Sequence, residues 1–172
     1  MPAPDPESLA GLYDRLGASL FRYALMILTD RASAEDVVHD VFAELARTGT
    51  SQIDHVDAYL RQAVRHRCYS LLRTRGRTTP MDEAPLLEPI VAGVSAEERL
   101  ALDGALRALP DDQREVVHLK LYEGLTFQEI ATLSDESINT VAARYRYAVE
   151  KMRATLDVAS PRRVRRMSEK NQ

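Results

Sequence analysis

Apolar residues recur along much of this chain at intervals of three and four, the period of a helix that buries one face. The first series is Leu9, Leu12, Tyr13, Leu16, Leu20, Tyr23, Ala24, Ile27 and Leu28. Three prolines precede it within residues 1–8, which places the helix start near Pro6. Gly11 and Gly17 weaken the series, and the spacing allows a break near Gly17. Ser33-Ala34-Glu35-Asp36 reads as a capping box with Asp in place of Glu, opening a helix to about Arg47. Val38, Val41, Phe42 and Leu45 share its apolar face, and Asp36, His39, Asp40 and Ala43 the opposite one. After a polar loop, Thr48 to His55, a third helix is predicted from Asp54 or Asp57 to Arg75, with Gly76 as its stop. Leu60, Val64, Cys68 and Leu71 form its apolar stripe.

Helical periodicity lapses from Thr78 to Val94, which holds Pro80, Pro85 and Pro89, three acids and no basic residue. It resumes at Ser95-Ala96-Glu97-Glu98, a second capping box, followed by Leu100, Leu102, Leu106 and Leu109. Pro110 suits the first turn of the next helix, whose apolar residues are Val116, Val117, Leu119, Leu121 and Tyr122, with Gly124 at its end. Thr126-Phe127-Gln128-Glu129 opens a short helix to about Ser134. Ser137 is then a fitting N-cap for a long helix with Val141, Tyr145, Ala148 and Met152 on one stripe. Asn139, Ala143 and Arg146 fall opposite, with Arg144 on a flank. Two helices across a short polar turn make the helix-turn-helix pattern, in which the second helix enters the DNA major groove.

The fold class that follows is all-α: two small helical bundles joined by a flexible linker, the C-terminal one containing the helix-turn-helix. The expected divisions are a domain at 1–77, a linker at 78–94, a second domain at 95–160 and a basic, disordered tail at 161–172. An apolar content of 45% suffices for packed cores. No apolar run approaches a membrane span and no signal segment opens the chain, so no membrane insertion is expected. A lone cysteine, Cys68, excludes an internal disulfide framework and suits a cytoplasmic protein.

A net charge of −3 argues against indiscriminate nucleic-acid binding, but the average hides blocks of opposite sign. Six arginines and no acid lie between Ala58 and Arg77, interleaved with aromatics. Gln62, Arg65, His66, Tyr69 and Arg73 face away from the apolar stripe, an arrangement that suits phosphates and unstacked bases. Arg67 falls towards the apolar side, where it either pairs with an acid of another helix or reaches past the edge of the core. The Asp36–Asp40 face is either a solvated acidic surface or a dock for a basic partner. His39, His55, His66 and His118 lack ligand spacing, and neither a phosphate loop nor a nucleophile signature appears. No cofactor, metal or enzymatic activity is expected.

Three stretches resemble the C-terminal domain of bacterial sigma-70-family factors: Leu109 to Val117, Glu123 to Ala131 and Asn139 to Arg153. Four more resemble the N-terminal domain of the small extracytoplasmic-function (ECF) group: Leu12-Tyr13, Phe21 to Ala24, Ala34 to Phe42 and Ala58 to Arg65. The resemblance covers nearly the whole chain, in order. It implies a sigma factor that binds core RNA polymerase and directs promoter recognition and transcription initiation. Asp36, His39 and Asp40 would dock on the coiled coil of the polymerase beta-prime subunit. Arg61, Gln62, Arg65, His66, Tyr69, Ser70 and Arg73 would engage the −10 element of promoter DNA, with a flipped base held by the Thr48–His55 loop. Asn139, Thr140, Ala143, Arg144 and Arg146 would meet the −35 duplex, Arg144 at phosphate. An anti-sigma factor is implied as a further partner.

The chain departs from the family pattern at several of these positions. His39 stands for the usual Gln, and His66 and Ser70 for common Asn and Asp. Asp135 and Glu136 replace a Gly and an apolar residue in the turn, and Ala142 a common Lys. Two other functions compete on the residues alone. One is a plain duplex-binding regulator with a sensing N-terminal bundle, and the other a protein-only adaptor.

Overall fold

The computed structural model describes residues 8–75, 86 and 93–159, with side chains to 157. Seven helices and no strands occur among them. The chain divides into two compact units, residues 1–86 and 87–172. The expected linker, apart from residues 86, 93 and 94, lies outside the described residues, as do the tail, the start near Pro6 and the stop at Gly76.

The first unit packs three helices against one another: α1 (Leu9–Leu28), α2 (Arg31–Thr48) and α3 (Val56–Arg75). Ser8 caps α1 by accepting the Gly11 N–H at 3.1 Å. The helix runs unbroken through Gly17, which is buried and has the ring of Tyr13 beside it. Tyr13 in turn meets Phe42 of α2 edge to face, with centroids 4.9 Å apart. That contact fixes both helices at the point where glycine would otherwise weaken one.

The start of α2 is not the one its sequence suggests. Asp30, not Ser33, is the N-cap, and its carboxylate accepts the Ser33 N–H at 3.3 Å. Ser33 therefore sits inside the first turn, buried, and also donates its hydroxyl to Asp30. Arg75 Nη1 donates to Ser33 Oγ at 2.7 Å, joining the end of α3 to this turn. Aspartate and serine cap a helix about equally well by hydrogen bonding, and the carboxylate adds a negative charge at the positive end of the helix. The preceding Thr29 takes a left-handed conformation, φ 55°, so α1 and α2 meet at a tight corner.

Leu60, Val64 and Cys68 of α3 are fully buried, whereas Leu71 is only partly so. The core of this unit adds Leu20, Tyr23, Ala24, Met26, Val38, Val41 and Leu45, all buried.

The second unit comprises α4 (Ala96–Arg107), α5 (Asp111–Leu121), α6 (Phe127–Ser134) and α7 (Ile138–Ala159). The long α7 packs on each of the other three, and α5 also touches α6. The boxes at Ser95/Glu98 and Thr126/Glu129 are both complete. Pro110 stands one place earlier than the first-turn position and serves as the N-cap of α5.

Of the four leucines expected to supply the apolar side of α4, Leu106 and Leu109 are buried, but Leu100 is 74% exposed. Asp103 takes buried space instead, held by Arg107 Nε at 2.7 Å. Polar groups recur inside this small core. Arg114 is buried and bonds Asp111 at 3.0 Å, and His118 is buried and stacked on Tyr122 at 5.4 Å. His118 Nε2 lies 3.6 Å from Glu123. Burial and nearby Asp103 push the Tyr122 phenol above its ordinary pKa.

Candidate functional site

Three faces carry the side chains singled out from the sequence. Two belong to the first unit and one to the second.

On α2, Asp36, His39 and Asp40 are all exposed, while Val38, Val41 and Phe42 turn into the core. The alternation follows from the period of the helix, since the core side also holds Val37, Leu45 and Ala34. Next to the carboxylates, a groove of about 540 Å³ runs between α1 and α2, lined by Tyr13, Phe21, Arg31, Glu35 and His39 among others. Arg31 bridges Glu35 at 3.1 Å and lies 5.0 Å above the Phe21 ring. His39 thus stands between an acidic surface and a partly apolar groove.

On α3 the arginine block divides by destination. Gln62, His66 and Arg73 are exposed, and Arg65, Tyr69 and Ser70 are half-buried beside them. The Arg65 guanidinium lies 4.7 Å over the Tyr69 ring. The pair presents a cation and an aromatic plane together. Arg73 Nη2 reaches Ser70 Oγ at 3.4 Å. Arg61 is on the flank nearer the core, its Nε buried. Arg67 leaves the face altogether, with its Nη1 3.6 Å from Asp40 and its Nη2 4.0 Å from Glu44, both on α2. Arg75 turns to Ser33, as described above, and Arg77 lies outside the described residues.

The third face belongs to α6, the turn and α7. Asp135 closes α6 in the left-handed conformation, φ 56° and ψ 44°, and its N–H returns to Ala131. Asp tolerates that conformation better than most residues, which is how the turn survives without glycine. Ser137 then caps α7 by accepting the Thr140 N–H at 3.1 Å. Val141 and Ala148 are fully buried and hold the helix to its neighbours. Phe127 of α6 meets Tyr145 of α7 edge to face at 5.5 Å, and Lys120 of α5 lies 4.8 Å over the Phe127 ring.

This packing leaves Asn139 and Arg146 exposed and Thr140 and Ala143 half-exposed. The Thr140 and Ser137 hydroxyls share a hydrogen bond of 2.8 Å. Arg146 lies 5.2 Å over the ring of Tyr147, itself half-exposed. Arg144 is bound on two sides: its Nε lies 2.9 Å from Asp112 Oδ2, and its Nη2 donates to Glu136 Oε1 at 3.0 Å. Neither carboxylate stands out in the sequence as its partner. Asp112 lies at the start of a different helix, and Glu136 is brought round by the turn. Tyr147 is not among the residues the sequence points to, although it adjoins Arg146 in the chain.

Among the described residues, no group of three or more His, Cys, Asp or Glu side chains could hold a metal ion. No described helix is long and apolar enough to cross a membrane.

Comparison with known proteins agrees with this arrangement. The sequence model for Sigma-70 region 2 matches residues 12–78, and that for Sigma-70 region 4 matches residues 99–152. The chain is 25% identical over 167 residues to the ECF RNA polymerase sigma factor SigK of Mycobacterium tuberculosis H37Rv, covering 90% of this chain and 89% of the relative. It is 29% identical over 164 residues to SigL of the Erdman strain, covering 90% and 92%. Its fold is similar to that of the sigma factor RpoE of Bartonella quintana, solved with the anti-sigma factor NepR. That likeness has a TM-score of 0.70 at 23% identity and covers 86% of this chain and 98% of the other.

Proposed function

This chain belongs to the sigma-70 family, in its extracytoplasmic-function group, and from that premise we propose how its three faces divide the work of starting transcription. A sigma factor binds core RNA polymerase and directs it to promoters. Here the exposed Asp36, His39 and Asp40 of α2 dock on a basic helical surface of the polymerase. Opposite charge at such a contact chiefly favours encounter and register.

The α3 face takes the −10 element as separated strands. Extruding a base from the stack costs about a few kcal/mol. A stacking side chain returns roughly 1–3 kcal/mol per base, so Tyr69 with Arg65 above it is the natural platform. Gln62, His66, Ser70 and Arg73 meet bases and phosphates around it, with Arg61 at the edge. One such face cannot hold a promoter open alone, which is why the polymerase is needed.

The α7 face takes the −35 element as duplex. Asn139 and Arg146 reach base edges, and Thr140 and Ala143 line the approach, with Arg144 on the flank. The protein acts in the cytoplasm by binding, and catalysis stays with the polymerase. An anti-sigma factor is a fitting further partner, since the RpoE of Bartonella quintana was solved with one.

The observation that carries this reading is the pairing, on one chain, of an arginine–aromatic face beside an acidic one in the first unit with a helix-turn-helix in the second. Transcription from a random promoter library, with core polymerase and the purified chain, tests it. The expected outcome is a defined start site with two separated sequence preferences. Transcripts that start identically with and without the chain would refute it. A preference confined to the −35 side, without polymerase, would favour a plain duplex-binding regulator.

A further inference from the structure

Arg144 lies two turns into α7, on the flank of the face that meets the −35 duplex. Its guanidinium is shared by Asp112, from the first turn of α5, and Glu136, from the turn before α7. Its side chain is 26% exposed, the least of the three groups. One cation therefore ties together three elements: the helix behind the motif, the turn, and the recognition helix.

The charge balance at this point opposes phosphate binding. One guanidinium and two carboxylates sum to a net negative site. A duplex phosphate drawing close would meet two carboxylate groups before gaining a free cation. The carboxylates also occupy donor directions of the fork that a phosphate would use. Arg146, exposed and lying over the ring of Tyr147, is the better cation for DNA.

We propose that Arg144 is a positioning residue: through Asp112 and Glu136 it fixes the angle and register at which α7 enters the groove, and it does not grip phosphate. The proposal rests on the −35 reading above and refines it. Its physical basis is that ion pairs sharing one partly buried guanidinium are screened less than open surface pairs. A helix whose start is held at both the turn and α5 presents Asn139 and Arg146 in one orientation.

The two possible roles predict effects of opposite sign. The assay is binding of full-length holoenzyme, across a KCl titration, to a promoter fragment that the wild-type holoenzyme has selected from a random library. Asp112→Asn with Glu136→Gln keeps shape and removes both charges. Positioning predicts weaker binding, by about three- to tenfold, with the salt slope unchanged. Arg144→Gln gives a similar loss that does not add to it, and Arg144→Lys fails to rescue because a point charge cannot span two partners. A phosphate grip predicts the reverse: the carboxylate variant binds more tightly, and Arg144→Gln lowers the salt slope by about 0.9. Either of those results overturns the proposal.

A second measurement needs no DNA. In thermal unfolding of the free chain, Asp112→Asn and Arg144→Gln are expected to be non-additive, and additive midpoints overturn the clamp. A wild-type holoenzyme that selects no fragment overturns the functional reading and this refinement with it. That failure is distinct, because it appears before any substitution is made.

Discussion

Asp40 of α2 and Arg67 of α3 face each other at 3.6 Å, so the acidic surface and the arginine block are in contact at one point. Arg67 is 41% exposed and Asp40 68%, which makes the pair a weak one, worth at most about 1 kcal/mol. Its interest lies in placement. A residue proposed to dock polymerase is ion-paired with the helix proposed to hold the −10 strand.

Charge reversal separates docking from this pairing. Asp36→Lys and Asp40→Lys are each expected to weaken binding to core polymerase by about tenfold while duplex binding by the free chain is unchanged. Asp40→Lys should in addition lower the thermal midpoint slightly, because it sets a second cation against Arg67. Titration of labelled core polymerase, with a melting curve for each variant, checks both effects. Wild-type affinity in the two reversed proteins would show that α2 does not dock.

Removal of the stacking platform acts on another step. Tyr69→Ala is expected to cost about 1–3 kcal/mol of the hold on opened −10 DNA. Binding to a fork template with single-stranded −10 sequence should fall accordingly, and binding to closed −35 duplex should not change. Tyr69→Phe keeps the ring beneath Arg65 and should retain most of the hold. Equal losses in the two variants would point to the hydroxyl rather than to stacking.

Gly17 offers a test of packing in α1. A Cβ added there would meet the Tyr13 ring at 3.6 Å, an ordinary contact, and the residue is not in a left-handed conformation. Gly17→Ala should therefore stabilise the first unit by about 0.5–1 kcal/mol, through a less mobile unfolded chain. Chemical denaturation reads this as a higher midpoint at constant slope. A lower midpoint would mean that the Tyr13–Phe42 contact cannot bear the added methyl.

The Ser95–Glu98 box carries a pH dependence. Glu98 accepts the Ser95 backbone N–H at 2.8 Å, and this bond, with the Ser95 side chain, holds its carboxyl below the usual range. A carboxyl whose pKa is lowered by folding stabilises the fold above its unfolded pKa, and that contribution fades as pH falls through the folded value. The melting-temperature gap between wild type and Glu98→Gln is thus expected to be present at neutral pH and to close below the ordinary carboxylate range. A gap that stayed constant into acid would show that the bond does not depend on the charge.

Local signals along the chain specified the helices and most of their ends. Periodicity and capping act within a turn or two of chain, so the boxes at Ser95 and Thr126, the cap at Ser137 and the outward set on α7 can all be read locally. The two-bundle, all-helical architecture followed from the same signals. Even at this range competition mattered: Ser33 has the spacing of a cap, but Asp30, three residues earlier, holds the position and Ser33 lies buried in the first turn. Which charges pair off inside the fold depended on how the helices pack. Arg67 meets Asp40, Arg75 meets Ser33, and Arg144 meets Asp112, each across a helix–helix junction. Leu100 faces outward while Asp103 is buried, a choice made by the neighbouring helices and not by the residues themselves. Such partners are far apart in the chain, and no local period relates them. Their meeting depends on crossing angles set by the whole core.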